Sequence, residues 1–197
     1  MKHDPETLTF RVATPSRWND IETLFGERGA CAGCWCMFWR TRRKEWEASK
    51  GAANRRAFRR IVETGKRPGI LAYRGKMPVG WCALAPRKTY GSLSRSRILA
   101  PVDDRPVWSV SCLFVLRPYR RQGIASRLLA EAARHAARRG AKILEGYPVE
   151  PSSANAPDAF LWTGTAVAFD RAGFVEVARR SRTRPIMRKR LRREARP

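Results

Sequence analysis

Residues 113–129, LFVLRPYRRQGIASRLL, decide how the rest of the chain is read. An apolar, strand-like run ends at Arg117-Pro118. An amphipathic helix starts soon after, with Ile124, Leu128, Leu129, Ala132 and Ala136 on one face and Gly140 at its stop. The junction between them, Arg120-Arg121-Gln122-Gly123-Ile124-Ala125, has the chemistry of an anion cradle. The first N–H groups of a helix have no intrahelical partner, and the helix dipole places partial positive charge there. Gly123 takes away the side chain where an oxyanion must approach, Ala125 keeps the next turn thin, and Arg120 and Arg121 can add charge-assisted contacts. An ordinary tight strand-to-helix turn would also use a glycine, so the surroundings have to choose.

Upstream, TLTFRVA (residues 7–13) alternates as a first strand, and TPSRWNDIETLF follows as a helix with Trp18, Ile21, Leu24 and Phe25 on one side. RTRRKEWEASK and AANRRAFRRIVETG read as helices separated by Gly51. GILAYRG-KMPVGWCALAP is a hairpin about Arg74-Gly75-Lys76. Residues 88–106 have no period, and PVWSVSCLFVL is expected as a central strand buried on both faces. Downstream come a strand in AKILEGYPVE, a loop in PSSANAPDA, a helix in FLWTGTAVAFDRAG and a terminal hairpin of FVEVARRS with RPIMRKRL. No repeat or linker interrupts this order. The expectation is one α/β (α+β) domain over residues 1–197, with a mixed sheet, a core of about residues 7–192 and a basic tail at 193–197.

The chain has 197 residues, 43% of them hydrophobic, enough for a core of its own. The start MKHDPETLTFRV has no apolar run of signal-peptide type, and no stretch suits a membrane span, so a cytoplasmic protein with reduced thiols is expected, away from the membrane. The formal net charge is +24. It suits a polyanionic partner, but the bias of Arg over Lys is also what a GC-rich genome writes onto neutral surface positions. No recognition motif accompanies the charge, so nucleic acid is not the expected partner. A monomer and a homodimer are both compatible with the sequence.

With the flanking elements in place, the junction resembles the acyl-CoA signature Gln/Arg-x-x-Gly-x-Gly/Ala of the GNAT acetyltransferases. Arg120-x-x-Gly123-x-Ala125 supplies the motif, and Arg171-Ala172-Gly173-Phe174 resembles the family's Gly-Phe after its fourth helix. The resemblance implies a GNAT-like mixed, mostly antiparallel sheet flanked by helices. It implies an acetyl-CoA-dependent N-acetyltransferase using acetyl-CoA as co-substrate and no metal. The N–H groups of Arg121, Gln122, Gly123, Ile124, Ala125 and Ser126, with Arg120, would hold the CoA pyrophosphate. The strand edge at Leu113 and Val115 would pair with the pantetheine arm. The strand at residues 141–150 would splay away, leaving a gap where an amine attacks the thioester directly.

The family often places a Tyr four residues before the Gly of Gly-Phe as proton donor to the thiolate, and an Asn near the start of that helix. Here these positions hold Phe169 and Trp162. Thiolate is a tolerable leaving group near neutral pH. Replacement candidates are Glu145 as base and Tyr147 as donor, two apart and so on one strand face. The alternative is that Glu145 pairs with an arginine and Tyr147 packs in the core. Glu150 is a second candidate base. His135, Cys82 and Cys112 read as structural, and Asp103 and Asp104 as a capped turn.

RGACAGCWCMFWRTRRKEW (residues 28–46) offers three thiols among aromatic residues. Structural zinc wants four ligands, and no fourth follows at a ligand spacing. A redox Cys-x-x-Cys belongs at a helix start in a thioredoxin-like setting, which is missing. In the family's layout this stretch lies beside the acceptor. Trp35, Phe38 and Trp39 are then expected either to wall the acceptor pocket or to fill the core beneath the helices. The acceptor is expected to be the amine of a small molecule or amino-acid-like compound. A protein amine, an aminoacyl-tRNA, or a non-catalytic CoA or nucleic-acid sensor are the alternatives.

Overall fold

The computed structural model describes residues 7–151 and 161–192. Alternating and apolar runs become seven strands: β1 (Leu8–Val12), β2 (Gly69–Arg74), β3 (Met77–Pro86), β4 (Trp108–Val115), β5 (Ile143–Gly146), β6 (Val175–Arg179) and β7 (Pro185–Arg190). They form one sheet in the order β1-β2-β3-β4-β5-β7-β6. Only β4 and β5 run parallel, joined by a helical crossover, and every other neighbour is antiparallel. The mixed, mostly antiparallel sheet expected from the sequence is present. Gly75, at φ +57°, turns the β2–β3 hairpin where Arg74-Gly75-Lys76 marks it.

Helices cover both faces. α5 (Ile124–Arg138) lays Leu128, Leu129, Ala132 and Ala136 on Ala72, Val79, Leu84 and Leu144. On the other face α1 (Trp18–Phe25) and α3 (Ala52–Glu63) join the Cys/Trp stretch in an aromatic core of Trp18, Phe25, Trp35, Phe58 and Trp81. Phe25 meets the edge of Trp81 at 5.7 Å between ring centres, a favoured edge-to-face geometry. Fully burying a side chain such as Phe58 stabilises by roughly 1.5–3 kcal/mol relative to leaving it in water.

Several elements are shorter than their sequence pattern. α2 spans only Arg43–Ala48, and residues 87–106 hold just a 3-10 turn (Arg87–Thr89) and α4 (Gly91–Ser94). The helix expected from Phe160 begins as α6 at Ala166 and ends at Arg171. Gly164 sits at φ +86°, which a right-handed helix cannot include, and Thr165 caps the start by accepting from the Ala168 N–H. Most of the loop expected at 151–159, together with His3 and the 193–197 tail, lies outside the described residues.

One irregularity positions the site. Along the β3–β4 pairing, Ala83 faces Cys112 and Leu84 faces Val110, so Ser111 is an extra residue in β4. Such a bulge bends its strand and increases its twist. β4 pairs with β5 only over Trp108–Val110 and Leu144–Gly146. Past the bulge the two parallel strands are no longer paired.

Candidate active site

The opened edge of β4 has a defined set of donors and acceptors. Leu116 N–H bonds to Val79 on the β3 side. Alternation therefore turns the polar groups of Leu113 and Val115 toward the gap. Leu113 N–H is already bonded to the Trp162 carbonyl at 2.8 Å, and Val115 C=O accepts from Arg120 Nε at 2.8 Å. The edge thus offers a ligand Leu113 C=O and Val115 N–H, fewer groups than the sequence expectation assigned to it.

A cavity of about 520 Å³ runs from this edge to the start of α5. Leu113, Val115, Arg120, Arg121, Gly123, Ile124, Ala125 and Ser126 all line it. Gly123 caps the helix in the left-handed conformation, at φ +75°, with no side-chain hydrogen bond to the first turn. A Cβ there would meet nothing within 4 Å, so the space over the helix start is open. Arg121 also has positive φ, +61°, turning successive N–H groups the same way. The uncapped donors, the positive helix end and the neighbouring guanidinium groups fit a pyrophosphate. Gln122 is the exception: its amide donates to Pro118 C=O and accepts from Arg74, and its side chain does not line the cavity. Sequence reasoning missed Tyr119, Thr165 and Arg171 in this wall. Their only signal was position, next to the signature and on the helix opposite it.

A second, apolar cavity of about 320 Å³ adjoins the first. Ala30, Cys31, Phe114 and Trp162 line both and form the partition. Phe38 and Trp39 stand in the wall of this second chamber with Trp46 and Trp162. Phe38 meets Trp162 edge-on at 5.3 Å and Trp46 at 5.1 Å. Trp35 does not line either cavity: it is buried between Trp18 (6.1 Å) and Phe25 (5.5 Å). The expectation of a pocket wall is therefore corrected at Trp35, which fills the core. The backbone explains the difference. Ala30, Ala32, Trp35 and Cys36 all have positive φ, interleaved with Gly26, Gly29 and Gly33. This coil of left-handed turns sends Trp35 inward and Phe38 and Trp39 outward, at a local cost on the order of 1 kcal/mol per strained residue.

Cys31, Cys34, Cys36 and Cys112 also face the apolar chamber. All five cysteines are free thiols. Hydrogen bonds from Cys112 and from Trp81 Nε1, the latter at 3.1 Å, hold the Cys36 thiol below its ordinary range. Burial pushes Cys34 up to about 11. Among the described residues, no group of three or more His, Cys, Asp or Glu side chains is placed to hold a metal ion.

Glu145 and Tyr147 do lie on one face, as their spacing requires, with Tyr147 Oη donating to Glu145 at 2.6 Å. Neither lines either of these two cavities, and both are fully buried. Glu145 is clamped by Arg87 (2.8 Å) and Arg188 (2.7 Å), and Tyr147 also contacts Ser109 (2.8 Å) and Arg87. Burial and the adjacent carboxylate raise Tyr147 well above its ordinary value, the wrong direction for a proton donor at neutral pH. This corrects the catalytic assignment of the pair. The hydrogen-bonding capacity that would serve a substrate is spent on a buried ion cluster. Asp103 completes the cluster through Arg188 (2.7 Å), and Glu150 binds Arg179 at the surface. Phe169, at the position of the family's Tyr, is buried beneath Gly146 and Gly164.

The profile of the Acetyltransferase (GNAT) family matches residues 33–159. A comparison with curated protein sequences finds no match. Among solved structures, the chain is similar to the Salmonella typhimurium protein YncA with its cofactor acetyl-CoA (15% identity, TM-score 0.56, covering 96% of this chain and 97% of that one). It is also similar to the PaiA N-acetyltransferase of Thermoplasma acidophilum in complex with coenzyme A (13%, TM-score 0.52, 93% and 99%). A third similar structure is a GNAT-family acetyltransferase of Listeria monocytogenes (9%, TM-score 0.58, 97% and 99%). At these identities the structures speak for the fold alone. The family profile covers more than half of the sequence, including the splayed strand and the glycine-started helix, and the chain belongs to the acetyltransferase (GNAT) family.

Proposed function

We propose that the protein transfers an acetyl group from acetyl-CoA to the primary amine of a small-molecule or amino-acid-like acceptor, by direct attack. One observation carries this reading: an open, uncapped helix start and an apolar chamber lie on either side of one partition, at Phe114 and Trp162. The Thermoplasma and Salmonella proteins, which share the fold, were solved with coenzyme A and acetyl-CoA.

The co-substrate supplies an activated acetyl thioester. The N–H groups from Arg121 to Ser126 hold its pyrophosphate, with Arg120 tied to Val115 C=O beside them. Leu113 C=O and Val115 N–H align the arm along β4. The acceptor occupies the aromatic chamber, and its size and apolar wall favour a small molecule over a folded protein or tRNA. What the chain contributes is alignment and exclusion of water. With Phe169 at the family's Tyr position, the thiolate leaves without a dedicated acid.

Calorimetric titration with acetyl-CoA, and with CoA for comparison, tests the cradle. Wild type binds in the micromolar range. Gly123→Glu places a carboxylate in the open space and weakens binding about 100-fold or more, as loss of charge-assisted contacts and like-charge repulsion together predict. No binding by wild type reduces the signature to a tight turn and overturns the proposal.

A further inference from the structure

Among the described residues that line the apolar chamber, one carries a formal charge. It is Arg184, and its guanidinium donates to Thr163 Oγ1 at 3.0 Å. The other buried arginines, Arg87 and Arg188, have Glu145 and Asp103 as counter-ions. Arg184 has no carboxylate partner among the described residues, and burial alone shifts it, downward. A half-buried cation without a counter-ion is costly, and a bound anion relieves that cost.

The lining also lacks groups that would suit other amines. Among the described residues, no Asp, Glu or His lines either cavity. Among the described residues, an alkyl ammonium ion entering here finds no carboxylate to hold it and no base to take its proton, and Arg184 repels it. An arylamine is uncharged at neutral pH and needs neither.

We propose that the acceptor is an aromatic amine carrying an anionic group, with the anion on Arg184 and the ring against Phe38, Trp39, Trp46 and Trp162. The inference rests on acetyl transfer at the partition and names its substrate class. The amine lone pair forms the C–N bond to the acetyl carbon. The C–S bond breaks, its electron pair leaves on the CoA thiolate, and the amine proton passes to that thiolate or to water.

CoA release from acetyl-CoA is measured with 4-aminobenzoate, with its ethyl ester and with spermidine, in wild type and Arg184→Met. The expected result is a kcat/KM for 4-aminobenzoate about 10- to 100-fold above the ester, the range of one charged hydrogen-bonded contact, and no turnover of spermidine. Arg184→Met collapses that ratio toward one. Preference for spermidine or the ester overturns the inference, as does a ratio that Arg184→Met leaves unmoved. The wild-type ratio decides alone if the variant does not fold. Acetyl-CoA binding is titrated in parallel. Binding without arylamine acetylation overturns this inference only, and absence of binding overturns the acetyl-transfer reading with it.

Discussion

Glu145 shows how one residue can satisfy two readings of a sequence and only one of a structure. Its place on a strand face beside Tyr147 suits a general base, and the same place suits a buried counter-ion. Two guanidinium groups close on it, and the side chain has no exposed surface. Glu145→Gln keeps the shape and removes the charge, leaving Arg87 uncompensated in the interior. The expected cost is about 3–5 kcal/mol in urea unfolding. Acetyl-CoA affinity of the folded fraction is expected to stay at the wild-type level. Stability retained with turnover lost would return Glu145 to the chemistry. Spacing could not separate these outcomes because Arg87 and Arg188 lie far from Glu145 in sequence. For the cradle residues the situation is reversed: their groups are backbone groups at a helix start, so local sequence alone places them.

At the scale of elements, the packing of β5 against α6 fixes where the gap ends. Gly146 closes β5, and a Cβ there would lie 2.0 Å from Cε1 of Phe169. Gly146→Ala is expected to destabilise by about 1–3 kcal/mol, the usual range for forcing a group into a filled core. Gly146→Ala with Phe169→Leu should cost less than the sum of the two single changes, because the added methyl then meets a smaller side chain. A double-mutant cycle in urea checks both. The individual strands, the hairpin and α5 were legible because each is set by a repeating pattern along its own length. The late start of α6 and the short β5 were not. Both depend on Gly164 and Gly146 meeting one phenylalanine ring, a contact between segments that no periodicity encodes. The bulge at Ser111 is of the same kind, since it exists only in the register between two strands.

At the scale of the whole molecule, stability against acid has two stages. His135 is buried under Trp108, its Nε2 has no partner, and burial with nearby arginines lowers it from 6.5 to about 4. The unfolded chain takes up this proton as pH falls below 6.5, and the folded chain resists until about 4. Stability is therefore lost across that interval, on the order of 2 kcal/mol. A second loss follows at lower pH. Arg188 and Arg105 hold Asp103 below the usual carboxylate range, and Arg179 does the same for Glu150 and Glu176, so their stabilisation is present above the ordinary carboxylate values and fades as pH falls beneath them. Urea midpoints from pH 8 to 3 should show both limbs, and His135→Phe should lack only the upper one. The partition of Ala30, Cys31, Phe114 and Trp162 has a consequence for the molecule as a whole. Any coupling that a common wall transmits between two occupants is reciprocal: whatever factor one imposes on the affinity of the other is returned in equal measure. The bond from Leu113 N–H to the Trp162 carbonyl ties that wall to the sheet.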